Sequence, residues 1–69
     1  MYITTIAKIS QFSSIWGGYN MMSQPLLLGD IERECKSYNT EFIPCEKGEL
    51  KVLESDWNGY RVMIQYRKI

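Results

Sequence analysis

The sequence predicts an α+β fold: a four-stranded, mostly antiparallel sheet with one helix packed on one face, in the order β-β-α-β-β. Three observations predict it. The stretch WNGYRVMIQ, residues 57–65, holds Asn-Gly between alternating residues, a strong hairpin signal. Apolar residues recur at helical spacing near the middle of the chain. The stretch YITTIAKIS, residues 2–10, alternates β-branched residues as a strand does.

The C-terminal hairpin follows from its turn. With Asn58-Gly59 as the loop, Trp57 lies opposite Tyr60, and the pairs before it are Asp56 with Arg61, Ser55 with Val62, and Leu53 with Ile64. The register collects apolar residues on one face: Leu53, Trp57, Tyr60, Val62, Ile64 and Tyr66. The other face is mostly polar, with Glu54, Asp56, Arg61, Gln65 and Arg67 among Leu50, Val52 and Met63. This one-sided pattern predicts that only the apolar face is covered.

The N-terminal half repeats part of this pattern. The motif W-x-G-Y-x-x-M-x-Q occurs at residues 16–24 and again at 57–65, either as a duplicated unit or through shared turn chemistry. A turn at Gly17-Gly18 predicts three pairs: Trp16 with Tyr19, Ser14 with Met21, and Phe12 with Ser23. A bulge near Ser10-Gln11 then brings Ile3, Ala7 and Ile9 to the face of Phe12 and Trp16. Pro25 predicts a sheet edge or the end of pairing. The alternative is β-α-β-β with residues 11–25 as a loop.

The helix is predicted from LGDIERECKSYN, residues 28–39. Ile31, Cys35 and Tyr38 follow the i, i+4, i+7 spacing of one helical face. Gly29 or Asp30 is the predicted N-cap, preceded by Leu28 as a staple residue, and Asn39 is the predicted stop. Residues 40–49 contain Pro44 and Gly48 and are predicted to be a connection.

The composition bounds the function. The 69 residues form a single domain (residues 1–69), and 45% hydrophobic residues suffice for a core. Eight basic and eight acidic residues cancel, so bulk charge attracts neither nucleic acid nor a membrane. The longest apolar run, PLLL at residues 25–28, cannot span a bilayer. The stretch MYITTIAKIS has no basic region followed by a long apolar run, so we do not expect it to be a signal peptide. We therefore expect a cytoplasmic protein with no membrane partner.

Catalytic and metal chemistry have no support in the sequence. The chain has no His, so it lacks an imidazole base, and within one chain its two cysteines cannot complete a four-ligand zinc site without recruiting carboxylates. A two-Cys site shared across a dimer has no spacing signature. Asp30 and Glu34 are spaced as solvated partners of the helix dipole rather than as an acid/base pair. We expect no enzyme, no catalytic residue, no metal and no cofactor, and we expect Cys35 and Cys45 to be reduced.

Residues 2–38 resemble a known group of proteins. YITTIAKI, the WGGY some ten residues later, and a following helix with a Cys are similar to short accessory proteins of lambdoid prophages of the YdaE type. The function of that group is unknown. The resemblance implies a phage or prophage origin and hence a location in the host cytoplasm. Short phage accessory proteins often act by binding a host protein, including inhibitors of host defence.

The function predicted is protein interaction. Surplus Trp, Tyr and Met are typical of interface cores, and a near-zero net charge favours self-association, so we expect a host or self partner and a homodimer. The predicted interface residues are Leu50, Val52, Met63, Met22, Asp30 and Glu34. The alternative is a single-stranded nucleic-acid binder using Arg61, Tyr66, Arg67 and Lys68, although the register places Tyr66 on the core face. A third hypothesis is a small-ligand pocket between helix and sheet around Trp16 and Trp57.

Overall fold

The described part of the chain folds as a four-stranded antiparallel sheet with one helix, as the sequence predicts. The computed structural model describes residues 1–10 and 22–69. Its elements are β1 (Tyr2–Ser10), β2 (Met22–Leu26), α1 (Leu28–Ser37), β3 (Leu50–Trp57) and β4 (Tyr60–Lys68). The strands form one sheet in the order β2-β1-β4-β3. Because β2 is a strand of this sheet, the alternative order β-α-β-β is wrong. No helix among the described residues is long and apolar enough to cross a membrane.

The β3–β4 hairpin has the predicted register. Trp57 lies opposite Tyr60, and the pairing continues without a bulge to Leu50 opposite Arg67. Asn58 and Gly59 have φ angles of 47° and 82°, the positive values that a type I′ turn requires. The turn therefore sets the faces of both strands. Of the residues predicted for the core face of β4, Val62, Ile64 and Tyr66 are buried and Tyr60, next to the turn, is half-buried.

The faces of β1 differ from the prediction. Tyr2 and Ile6 belong to the core under α1, and Thr4, of the same parity, is fully buried. The odd-numbered residues occupy the opposite face, called here the helix-free face, where Ile3 is exposed but Ala7 and Ile9 are buried. The alternation of β1 did not identify its core face, because both parities of this central strand carry apolar residues.

The register of β2 also differs from the prediction. Ser23 lies opposite Thr5, with the two hydroxyl oxygens 2.9 Å apart, and not opposite Phe12. An edge strand takes its register from contacts with its neighbour, and here that neighbour is the first half of β1. Pro25 lies in this edge strand, as predicted. The Gly17-Gly18 turn, its Trp16–Tyr19 and Ser14–Met21 pairs and the Ser10-Gln11 bulge fall outside the described residues.

The helix begins earlier than predicted. Its N-cap is Leu27, which has extended backbone angles and makes no side-chain cap, so Gly29 and Asp30 lie within the first turn. The reason is the short connection: β2 ends at Leu26, and the chain turns directly into α1. The C-terminus is as predicted. Asn39 has a φ of 59°, and the N–H groups of Asn39 and Thr40 donate to the carbonyls of Lys36 and Cys35, a Schellman motif.

The core lies between α1 and one face of β1 and β4. Its buried members are Tyr2, Ile6, Ile31, Cys35, Val62, Ile64 and Tyr66. The connection after the helix closes it, because Phe42 and Cys45 pack against this cluster. The Tyr66 hydroxyl anchors the connection, accepting from the Ile43 N–H at 3.0 Å and donating to the Ile43 carbonyl at 2.6 Å. Among residues 1–10 and 22–69, no helix packs on the helix-free face.

Candidate protein-interaction surface

Exposed apolar residues gather at one end of the helix-free face. The strand registers place side chains in rows across the sheet, and the first two rows are Pro25–Ile3–Arg67–Leu50 and Ser23–Thr5–Gln65–Val52. Ile3 and Leu50 are each 44% exposed, Val52 is 50% exposed, and the terminal Ile69 is 56% exposed. We call Ile3, Leu50, Val52 and Ile69 the apolar end.

A shallow groove of about 270 Å³ runs through the apolar end. Its walls are Ile3, Thr5, Leu50, Gln65, Arg67 and Ile69. Arg67 lies directly between Ile3 and Leu50 in the first row, and within the described part of the chain its guanidinium has no ion-pair partner. The groove therefore combines apolar walls with an available positive charge.

The opposite end of the helix-free face is acidic. Glu54 and Asp56 project there from β3, opposite Met63 and Arg61, and a second shallow groove of about 290 Å³ lies beside them. Met63 is half-buried on this face. The charges on this face therefore differ along β3: the Arg67 guanidinium lies beside Leu50, the Glu54 carboxylate lies beside the uncharged Met63, and the Asp56 carboxylate lies opposite Arg61.

The outer edge of β3 borders both ends. In a hairpin with a two-residue loop, Trp57 and Tyr60 exchange hydrogen bonds, and the alternation beyond them turns the backbone groups of Leu50, Val52, Glu54 and Asp56 outward. The Asp56 carbonyl accepts from Asn39 Nδ2 at 3.3 Å, consistent with this assignment. No strand among residues 1–10 and 22–69 lies outside β3. The edge from Leu50 to Glu54 is open to pairing in the described chain.

The predicted interface residues do not all lie on one surface. Leu50 and Val52 lie side by side on the apolar end, and Met63 lies on the same face but nearer the acidic end. Asp30 and Glu34 lie on α1, on the other side of the sheet, where Asp30 pairs with Arg33. Met22 begins β2 opposite Ile6, and its side chain is outside the described part.

The sequence does not predict two members of the apolar end, Ile3 and Ile69, and it predicts a different role for the neighbouring Arg67. The strand pattern places Ile3 on the face of Trp16, no motif includes Ile69, and the basic-aromatic pattern predicts Arg67 only for nucleic acid. The β1–β4 register, Ile3 opposite Arg67, was the missing information. The alternation of side chains along β1 does not by itself give this register.

The residues predicted for nucleic-acid binding do not form one surface. Tyr66 is fully buried, and its ring stacks on Phe42 at 5.0 Å between centroids, so it offers no face to a base. Arg61 and Arg67 project on the helix-free face, whereas Lys68 has the opposite parity. The register thus separates the basic residues and removes the aromatic one.

The two cysteine thiols and the Lys8 ammonium make packing contacts. Cys35 and Cys45 are free thiols, and burial together with the Glu34 charge raises the pKa of Cys35 from 9.0 to about 11. The Lys8 ammonium lies 5.3 Å from the ring centroid of Trp57, which packs edge-on against Tyr38 at 5.0 Å. Trp16, the other half of the predicted ligand pocket, is outside the described residues. Within those residues, no cluster of three or more metal-ligating side chains occurs.

Comparison with known proteins does not assign a function to this surface. No family model, curated protein or solved structure matches this chain.

Proposed function

We propose that this protein is a small non-enzymatic domain that acts by binding another protein through the apolar end and the adjoining edge of β3. The observation that carries the proposal is the placement of exposed apolar side chains beside an open strand edge. Apolar side chains gathered on a surface favour burial against a partner. An unpaired edge offers backbone hydrogen bonds to an incoming strand.

The form of the surface favours a protein over other ligands. Both grooves on the helix-free face are shallow, whereas small-molecule sites are concave and enclose most of the ligand. A single-stranded nucleic acid needs exposed aromatic rings beside its basic residues, and Tyr66 is buried. Apolar side chains, an open edge and a single guanidinium together suit an extended polypeptide.

The finer proposal is that the partner is a host protein which this domain modulates or inhibits in the host cytoplasm. Its support is the resemblance of residues 2–38 to prophage accessory proteins. Self-association as a homodimer is a further candidate, favoured by the zero formal net charge.

A pair of variants tests the surface. Val52→Glu places a charge at the apolar end, and Leu28→Glu places one on α1, where the original side chain is equally exposed at 50%. Proteins retained by the immobilised chain are identified, and the purified partner is titrated against the wild type and both variants. We expect Val52→Glu to weaken binding at least about tenfold and Leu28→Glu to change it less than about twofold.

The controls separate binding from folding and from self-association. Circular dichroism must be unchanged in both variants, and light scattering reports whether the wild type forms a dimer that Val52→Glu dissociates. A partner bound equally well by both variants contradicts the proposed surface. A monodisperse monomer that captures no protein contradicts the proposed function. Salt-dependent oligonucleotide binding that is lost with Arg61→Ala and Arg67→Ala would support the nucleic-acid alternative instead.

A further inference from the structure

The charges along β3 determine which segment can pair with its outer edge. In an added strand, the residues directly opposite Leu50, Val52 and Glu54 project onto the helix-free face with them. Each of these three positions has different surroundings. Leu50 lies beside Arg67, Val52 is an exposed apolar side chain beside Gln65, and Glu54 is an exposed carboxylate beside Met63.

We propose that the partner segment is an extended strand that pairs antiparallel with β3 and has the pattern basic-x-apolar-x-acidic. This inference rests on the proposed function and names the chemistry of the partner. Its basic residue lies opposite Glu54, its apolar residue opposite Val52, and its acidic residue opposite Leu50. The order basic, apolar, acidic from the N-terminus follows from the antiparallel direction, because the added strand passes Glu54 first and Leu50 last.

Arg67 is the reason why the partner residue opposite Leu50 is expected to be acidic. Strands in a sheet lie about 4.8 Å apart, so the added strand lies about 10 Å from β4. An arginine and a glutamate side chain extending toward each other across Leu50 span that distance, and the methylene groups of both cover the leucine. Arg67 has no ion pair within the described residues, so a carboxylate here gains a charged partner without displacing one.

A second copy of this chain does not supply the segment. Two-fold antiparallel pairing of β3 with itself, centred on Val52, Leu53 or Glu54, places residues of like parity opposite each other. Each of these registers sets Leu50 or Val52 against a carboxylate of the other copy. The register centred on Lys51 sets Leu50 opposite Val52, but it pairs only residues 50–52 of each β3 and leaves Glu54 outside the paired strands. The sequence also contains no basic-x-apolar-x-acidic run. Charges on the edge disfavour indiscriminate pairing, so the edge selects a different polypeptide.

Two short peptides test the pattern. The probe is acetyl-Thr-Arg-Thr-Val-Thr-Glu-Thr-amide, and its matched control exchanges Arg and Glu. Each is titrated into the ¹⁵N-labelled protein and followed by amide chemical shifts. We expect the probe to shift the amides of Leu50, Val52 and Glu54, and the exchanged peptide to bind about tenfold more weakly, because two favourable cross-strand pairs become unfavourable.

A charge-reversed protein provides the complementary experiment. Glu54 and Arg67 are both exposed, so Glu54→Lys combined with Arg67→Glu leaves the core unchanged. We expect this double variant to prefer the exchanged peptide by a similar factor. Reversal of preference requires direct charge pairing at these two positions.

The outcomes distinguish the inference from the proposed function. Equal binding of both peptides, shifts confined to α1 or β2, or no shift at millimolar concentration overturns the inference. In each case, loss of partner binding on Val52→Glu would still support the proposed function. A single-stranded oligonucleotide that reproduces the peptide-induced shifts also overturns the inference, in favour of nucleic-acid binding.

Discussion

Removing one oxygen from the core tests how the connection after the helix is held. Tyr66 is fully buried, and its hydroxyl makes two hydrogen bonds to the backbone of Ile43, at 2.6 and 3.0 Å. Tyr66→Phe removes both bonds and keeps the ring. The stacking on Phe42 and the edge contact with Tyr2, at centroid distances of 5.0 and 6.0 Å, are therefore retained. Any loss of stability then reports the hydrogen bonds alone.

The magnitude follows from the number of bonds and their exposure. Each hydrogen bond contributes about 0.5–1.5 kcal/mol, so two contribute about 1–3 kcal/mol. Ile43 is 46% exposed, so water can replace part of the lost bonding at its backbone. We therefore expect the free energy of unfolding to fall by about 1–2 kcal/mol.

The assay is urea unfolding followed by tryptophan fluorescence, with Tyr60→Phe as the control. Tyr60 is half-buried, and among the described residues its hydroxyl makes no hydrogen bond, so its loss should change stability by less than about 0.5 kcal/mol. Hydrogen exchange should show faster exchange of the Ile43 amide in Tyr66→Phe. Equal stability of the two variants, with an unchanged Ile43 amide, would refute the reasoning.

Two further predictions concern backbone and charge. Gly29→Ala should raise the free energy of unfolding by about 0.5–1 kcal/mol, because Gly29 lies inside α1 with open space around an added Cβ. Gly59→Ala should lower it by about 1–2 kcal/mol, because its φ is +82°, and shifts of the same sign would contradict this pair. Burial raises the pKa of Cys35 from 9.0 to about 11. Between these pH values the thiol is ionised in the unfolded chain but protonated in the folded chain, so the free energy of unfolding is at its full value below pH 9 and falls as the pH rises toward 11. Cys35→Ala should flatten that slope in urea unfolding at each pH, and an unchanged slope would assign the loss to other groups.

Local rules in the sequence accounted for the C-terminal hairpin and the helix stripe. Asn58-Gly59 specifies the turn through its backbone angles, and the turn specifies every pair back to Leu50. Ile31 and Cys35 are buried as their spacing predicted. These features depend on residues close together in the chain, so a single sequence carries the information.

Features that join distant segments were not predictable in the same way. The helix-facing side of β1 could not be read from its alternation, because both parities are apolar. The register of β2 was predicted from a repeated motif, whereas pairing with Thr5 places Ser23 elsewhere. The N-cap moved to Leu27 because β2 ends only one residue earlier.

The candidate surface likewise combines a part that the local sequence predicts with a part that depends on pairing between distant segments. The sequence alone determined that Leu50 and Val52 project on the polar side of the hairpin, since the turn fixes their parity. Only the tertiary structure decided that Ile3 from β1 joins them beside Arg67 and that β3 is an edge strand. Strand order depends on burying one core across the whole chain and on pairing backbone groups between distant segments, and no local periodicity encodes either of these.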